Sequence, residues 1–255
     1  MIDQLSANPG LKPAPRAHRT IGIQPVMPRA RTGNGWMVQS DFDGTISLED
    51  VTDTLLERFG RPGWRELEAA WERGEIGSRE CMKGQVLLLD MSPAELQEHL
   101  ATIEIDPHFA GFVQAARSRG MEVQVVSDGI DHVITTVLDH HGLGDLQVIA
   151  NRLVQTGPRS WQLQSPYASA TCARASGNCK CERLAEAQAE HGRVLYVGDS
   201  TSDFCVSGKA DFVLAKYKLI DHCRAKGIAH APFTDFSQAQ ALMEALVTAR
   251  EYAAA

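Results

Sequence analysis

The amino-acid sequence predicts an α/β protein, a doubly wound parallel sheet carrying a small inserted all-helical domain. Three observations lead there. Strand-like apolar runs alternate with helical stretches after residue 107, the arrangement that builds a parallel sheet covered on both faces. Between Leu48 and about Leu100 the pattern is helical throughout, with no strand. Three of the apolar runs end in polar residues, and in open parallel sheets the carboxyl ends of the strands form the ligand crevice.

The first element expected is a strand at Trp36–Ser40, a short apolar run that delivers Asp41 at its C-terminal end. The Thr32-Gly33-Asn34-Gly35 turn cluster precedes it. The helical segment follows, with Leu55, Leu56 and Phe59, then Trp64, Leu67 and Trp71, then Val86–Leu89 at helical spacing. Gly60-Arg61-Pro62-Gly63 and Met91-Ser92-Pro93 punctuate it. Helices are expected at about 107–119, 130–141 and 181–190, and strands at 123–127, 147–150, 194–197 and 212–214. Asn151–Leu163, with Thr156-Gly157-Pro158 at its middle, reads as a hairpin projecting from the sheet. The expected division is a flexible arm over 1–35, an α/β core over 36–45 and 107–255, and a helical cap over 46–106.

The bulk properties narrow the function. At 255 residues, 44% hydrophobic and 22% charged, the chain is of ordinary globular composition. It has no apolar run long enough to span a membrane and no apolar stretch of a secretory signal in its first forty residues. The six cysteines are therefore expected as reduced thiols in a cytoplasm. A net charge of −7 argues against nucleic acid as partner. Residues 1–40 hold Lys12, Arg16, Arg19, Arg29 and Arg31 against Asp3 alone, so this segment is +4 and the remainder −11. Such a basic arm is read as solvated.

Four groups of residues carry the chemistry. In Asp41-Phe42-Asp43-Gly44-Thr45 the first carboxylate is placed to attack a phosphoryl group, and the second to protonate the leaving oxygen. Extended backbone points Phe42 away and brings Asp41 and Asp43 to the same side. Gly44 allows a sharp turn whose amides, with Thr45, suit phosphate. Ser127-Asp128-Gly129, after an apolar strand, offers a hydroxyl and backbone amides at an expected helix start. Lys180 supplies the cation that crowded carboxylates and a phosphate require. Asp199 and Asp203, in Gly198-Asp199-Ser200-Thr201-Ser202-Asp203, add hard oxygen ligands for Mg²⁺ beside Asp41 and Asp43.

These elements, in this order, resemble the haloacid dehalogenase-like superfamily over about residues 36–247. The resemblance implies a doubly wound, Rossmann-like core and a nucleophilic Asp41. It further implies an acid/base Asp43, a phosphate ligand at Ser127, a catalytic Lys180, and Mg²⁺ held by the acidic groups. The helical insertion looks like the cap of the phosphoserine-phosphatase-like branch. A closer similarity is to the methionine-salvage phosphatases of 2-hydroxy-3-keto-5-methylthiopentenyl 1-phosphate. Cys172, Cys179 and Cys181 ahead of Lys180 carry it, with the hairpin and the ending Cys223-Arg224, His230, Pro232-Phe233 and Asp235-Phe236. Ser127-Asp128-Gly129, where Ser-Gly-Gly is more familiar, is a departure beside the phosphate ligand.

The expected partner is a small phosphorylated metabolite. A phosphomutase, which uses the same two aspartates, and a non-catalytic metabolite-binding protein are the alternatives. Cys172, Cys179 and Cys181 lack the paired clusters usual for zinc. Trp64 and Trp71, seven apart, are read as core. Glu49 and Asp50 either read a polar substrate group or favour the helix start, and Arg58, Arg61 and Arg65 are read as solvated.

Overall fold

Strand β1 (Trp36–Ser40) is buried along its whole length. A strand covered on both faces has no polar side to show, which is why its residues run apolar without alternation. The computed structural model describes residues 35–254, with side chains as far as Thr248. The arm expected over 1–35 thus lies, except for Gly35, outside the described residues.

On one side β1 pairs in parallel with β2 (Glu122–Ile130), and β2 with β3 (Gln147–Gly157). On the other it pairs with β5 (Arg193–Gly198), followed by β6 (Phe212–Ala215) and β7 (His230–Pro232). An antiparallel strand, β4 (Ser160–Gln164), completes the sheet in the order β4-β3-β2-β1-β5-β6-β7. The chain builds outward from β1 in one direction and then returns to build in the other. The crevice at that reversal lies at the carboxyl ends of β1 and its neighbours.

Alternation along the strands sends side chains to two separate cores. Trp36, Val38, Leu195 and Val197 face the larger one, with α5 (Phe109–Ser118), α6 (Asp131–His140) and α10 (Phe236–Ala254). Phe109, Phe112, Phe233 and Phe236 join their rings there. Met37, Val194 and Tyr196 face the other, with Leu184 of α7 (Lys180–His191) and Val206 of α8 (Phe204–Ser207). Helix α9 (Tyr217–Lys226) packs beside β6 and β7. Buried Gln39 heads a row of amides: its Nε2 donates to Gln124 at 2.8 Å, and Gln124 donates to Gln147 at 2.8 Å, while Gln39 Oε1 has no partner among the described residues. Among the described residues, no helix is long and apolar enough to cross a membrane.

Between β1 and α5 lie four helices, α1 (Val51–Phe59), α2 (Trp64–Glu72), α3 (Ser78–Leu87) and α4 (Pro93–Leu100). Helix α4 begins with a capping box, in which Ser92 and Glu95 satisfy each other's backbone amides ahead of Pro93. The two chain segments that join the insertion to the core run side by side. The Leu48 amide donates to Glu104 O at 3.1 Å, and that of Asp106 to Ile46 O at 2.9 Å. Buried Lys216 braces this junction by donating to Thr45 O at 3.0 Å, with Asp106 Oδ2 at 3.9 Å.

One expectation is corrected, that for Ser127-Asp128-Gly129. The 151–163 hairpin does project: β3 pairs with β2 only as far as Asn151, and from Arg152 on it pairs with β4. Its first arm is the continuation of β3, and it docks against the inserted helices through Trp161 Nε1 to Met91 O at 2.8 Å. Arg159 at its tip reaches Asp90 and Glu95, both at 2.6 Å. Ser127-Asp128-Gly129 lies within β2, and α6 starts only at Asp131. The pairing of β2 with β3 shifts register between Val126 and Ile130, so this stretch is a bulged strand end.

Candidate active site

Asp41 follows β1 while its backbone is still paired, its amide donating to Val197 O at 2.9 Å. The side chain is thereby aimed from a fixed strand end. Its Oδ2 lies 2.6 Å from Lys180 Nζ and accepts from Ser202 Oγ at 3.3 Å, and Oδ1 accepts from the Phe42 amide at 2.8 Å. Phe42 turns the other way and is fully buried, as the spacing of two requires. Burial pushes the Asp41 carboxyl up to about 8 against the pull of Lys180, with Asp203 and Asp199 adding to the rise. Burial disfavours the charge on Lys180, yet Asp203 and Asp41 together hold the ammonium above its usual range.

Asp203 is the fixed counter-charge of the site. It is fully buried, takes Lys180 Nζ at 2.7 Å and Tyr196 OH at 2.6 Å, and accepts the amides of Asp199 and Ser200. Against burial, Lys180 and these donors keep its carboxyl below the ordinary range. Asp199 hangs on the same loop, oriented by Thr45 Oγ1 at 3.1 Å. Gly44 has φ +69, and a Cβ there would stand 2.8 Å from Asp199 Oδ2, so both the turn and the approach demand glycine.

Asp41, Asp199 and Asp203 each offer an oxygen within 4.8 Å of the others. Hard carboxylate oxygens at that spacing fit Mg²⁺. Burial, then Asp203, lifts Asp199 to about 6. Asp43, also expected as a ligand, stands outside this group. Its Oδ1 accepts the Val51 amide at 2.9 Å. Burial first, and then Asp50, raise its carboxyl well above the ordinary value, favouring the neutral form that can give up a proton.

Ser127 faces the same cavity, with its Oγ accepting from the Gly129 amide at 2.9 Å. A Cβ on Gly129 would come within 2.6 Å of Asp43 Oδ2, so the loop can pass this close only without a side chain. The Asp128 side chain has a different task from binding phosphate. Its Oδ2 accepts Ser78 Oγ of α3 at 2.6 Å, and its Oδ1 accepts the Asn178 amide at 2.8 Å. It therefore clamps the inserted helices to the segment before Lys180. Gly44 and Thr45, expected at the phosphate, lie against Asp199.

Several residues escaped the sequence reading. Ser202 Oγ donates to Asp41 and accepts from Lys180 Nζ, Tyr196 anchors Asp203, and Asn178 ties Ser127 O to Ile149 O through its Nδ2. Trp71, read as core, lines the cavity, whereas Trp64 is buried as expected. Asp50 caps α1 and also faces the cavity. None of Arg58, Arg61 and Arg65 lines it. Cys172 Sγ lies 3.1 Å from Ser176 Oγ, and among the described residues Cys172, Cys179 and Cys181 are not brought together as ligands of one metal ion.

A strand-end carboxylate, a buried lysine, and an acidic group fit for a divalent ion stand at the crevice of a doubly wound sheet. The chain belongs to the haloacid dehalogenase-like hydrolases, whose family model matches residues 38–207. It is similar to the 2-hydroxy-3-keto-5-methylthiopentenyl-1-phosphate phosphatase of an Exiguobacterium species, at 31% identity over 80% of this chain and 95% of that one. The enzyme of that name from Geobacillus thermodenitrificans is 29% identical over 77% of this chain and 90% of its own. Among solved structures, a phospho-aspartyl intermediate analogue of phosphoserine phosphatase superposes with a TM-score of 0.61. It is 19% identical and covers 85% of this chain and 98% of that one. A probable phosphoserine phosphatase from Vibrio cholerae gives 0.63 at 16% identity, covering 87% and 68%. At those identities the likeness is one of fold.

Proposed function

We propose that this enzyme hydrolyses a small phosphate monoester, with Mg²⁺, through an aspartyl-phosphate on Asp41. The observation that carries the reading is the Asp41 carboxylate at the end of β1, 2.6 Å from Lys180 and within 4.8 Å of the Asp199 and Asp203 oxygens. In this reading Asp41 Oδ attacks phosphorus, and the bond to the leaving oxygen breaks. Asp43, in its neutral form, gives that oxygen a proton, then takes one from the water that splits the aspartyl-phosphate. Lys180 favours the ionised form of Asp41, which bound Mg²⁺ would favour further, and meets the phosphoryl oxygens, which Ser127 and the Asp128 backbone amide also bind. Mg²⁺, held by Asp41 and Asp199 with Asp203 in support, supplies the positive charge that offsets the transferred group.

The cavity over Asp41, about 180 Å³ and walled by the inserted helices, suits a small metabolite. The names of the curated relatives make 2-hydroxy-3-keto-5-methylthiopentenyl 1-phosphate the first compound to assay, and the solved neighbours add phosphoserine. A cytoplasmic setting is supported by six cysteines that are all free thiols. The test is phosphate release from these esters and from nitrophenyl phosphate, with an isomer assay to detect phosphoryl return to the product. Asp41→Asn is expected to fall below about a hundredth of wild-type turnover. Activity above that level in a folded variant would remove Asp41 from the nucleophile's role.

A further inference from the structure

A buried lysine that the proposed chemistry does not use lies behind the acidic group. Lys216 directly follows β6 and is 4% exposed. Burying an ammonium is costly, and a methionine of similar length would fill the space without that cost. The reason for the charge therefore lies in what it holds. Among the described residues its one hydrogen bond runs from Nζ to Thr45 O at 3.0 Å. The rings of Phe233 and Phe236, at 5.1 and 5.4 Å, and Asp106 Oδ2, at 3.9 Å, shelter the cation. Asp106 is fixed without it: its Oδ1 accepts the His108 amide at 2.9 Å, and its Oδ2 the Phe236 amide at 3.0 Å. The group that depends on the ammonium is Thr45.

Thr45 in turn sets an acidic oxygen of the site, its Oγ1 donating to Asp199 Oδ1 at 3.1 Å. The backbone around Lys216 converges on the same aspartate. The Lys216 amide donates to Gly198 O, and the Leu219 amide to Asp199 O, both at 2.9 Å. Between them Tyr217 has φ +39, left-handed backbone that a residue with a side chain enters at a cost. Tyr217 is 67% exposed, so packing of its own ring does not offset that strain. The strained turn is kept by a segment whose bonds end on Gly198, Asp199 and Thr45.

We infer that Lys216 is a positioning residue for the metal site, holding the Asp199 carboxylate through Thr45 in the orientation that binds Mg²⁺. This rests on the Mg²⁺ reading of Asp199 and adds a residue to it. Lys216 itself touches neither substrate nor ion. Charge and position make opposite demands at this residue. A nearby cation repels a divalent ion, so loss of the ammonium's charge alone would tighten Mg²⁺ binding. Loss of an orienting contact behind a ligand weakens it, by about tenfold or more. The direction of the change therefore separates the two.

The experiment titrates Mg²⁺ into metal-free protein by calorimetry, with the rise of Tm on adding Mg²⁺ as a second reading. Lys216→Met is expected to weaken Mg²⁺ binding by about tenfold or more. Should it fail to fold, Lys216→Gln, whose amide ends one bond short of Thr45 O, takes its place. Thr45→Val keeps the carbonyl and removes Oγ1, and is expected to weaken Mg²⁺ to a similar degree. Because both substitutions cut one path, the double variant is expected to lie within about twofold of the weaker single variant. Wild-type or tighter affinity in a folded Lys216 variant overturns the inference, and it is the result expected if Lys216 only braces the hinge and lowers the metal-free Tm. Wild-type affinity in Thr45→Val overturns it independently, as do losses that multiply in the double variant. If wild type itself binds no Mg²⁺, the Mg²⁺ reading of Asp199 falls and this inference with it. Wild-type binding that survives the Lys216 substitution removes this inference alone.

Discussion

Replacing Lys180 by methionine keeps much of the side chain's length and removes its charge, which tests how the site tolerates two carboxylates side by side. The Lys180 side chain is 3% exposed, and its Nζ sits 2.6 Å from Asp41 and 2.7 Å from Asp203, themselves 6% and 0% exposed. Removing one partner of such a buried pair leaves uncompensated charge, at a cost of about 3–5 kcal/mol. In a domain of this size that corresponds to a fall in Tm of about 6–20 °C. A proton taken up by Asp41, whose carboxyl already lies near 8, softens the loss and at the same time disables the nucleophile. The expected result is a Tm reduced by that amount without metal, little turnover, and a larger Tm gain on adding Mg²⁺ than wild type shows. Thermal melts monitored by circular dichroism at about pH 7.5, with and without the ion, read all but the turnover. A variant melting within about 2 °C of wild type would refute the claim that Lys180 carries the charge balance of the site.

Asp43→Asn is expected to slow hydrolysis of alkyl phosphates more than of nitrophenyl phosphate, because only the basic alkoxide needs a proton as it leaves. Single-turnover rates on both esters check this, and equal losses would withdraw the acid role. Exhaustive chelation is expected to abolish activity and Mg²⁺ to restore it, with Ca²⁺ a poor substitute because it admits extra oxygens and a looser geometry. Phosphate release after metal exchange reads the outcome. Asp53→Asn is expected to raise Tm at about pH 8, the gain shrinking as pH falls through about 7 toward 4. Asp53 is raised to about 7, so the folded state binds the extra proton in that window, and wild-type stability falls as pH rises through it. Melts across that range decide it, and a gain independent of pH would contradict the shift.

The strand-bound part of the site was legible because its residues follow apolar runs in the chain. Asp41, Ser127 and Asp199 each stand where a buried strand stops, and local pattern suffices to see that. Asp128 looked like a phosphate-loop residue because its partners, Ser78 and Asn178, are each fifty residues away. Tyr196 reads as one more apolar strand position until the fold turns its hydroxyl onto Asp203. Trp71 shares a helix with buried Trp64, but it stands at the other end of α2, which borders the cavity. β7 has three residues, His-Ala-Pro, too few to show any period, and it exists through pairing with β6. The 151–163 hairpin showed its turn plainly, whereas its docking depends on Arg159 meeting acids sixty-four and sixty-nine residues away.

The central claim is that the Asp41 carboxylate becomes phosphorylated during turnover. The direct measurement is rapid acid quench of Asp43→Asn in a single turnover, followed by peptide mass spectrometry. With the residue that activates water replaced, the intermediate should outlast its wild-type counterpart. A phosphoryl group on the peptide containing Asp41, appearing as the substrate's leaving group is released and then decaying into free phosphate, is the result expected. Leaving-group release matched step for step by free phosphate, with Asp41 unmodified at every quench time, would contradict the account.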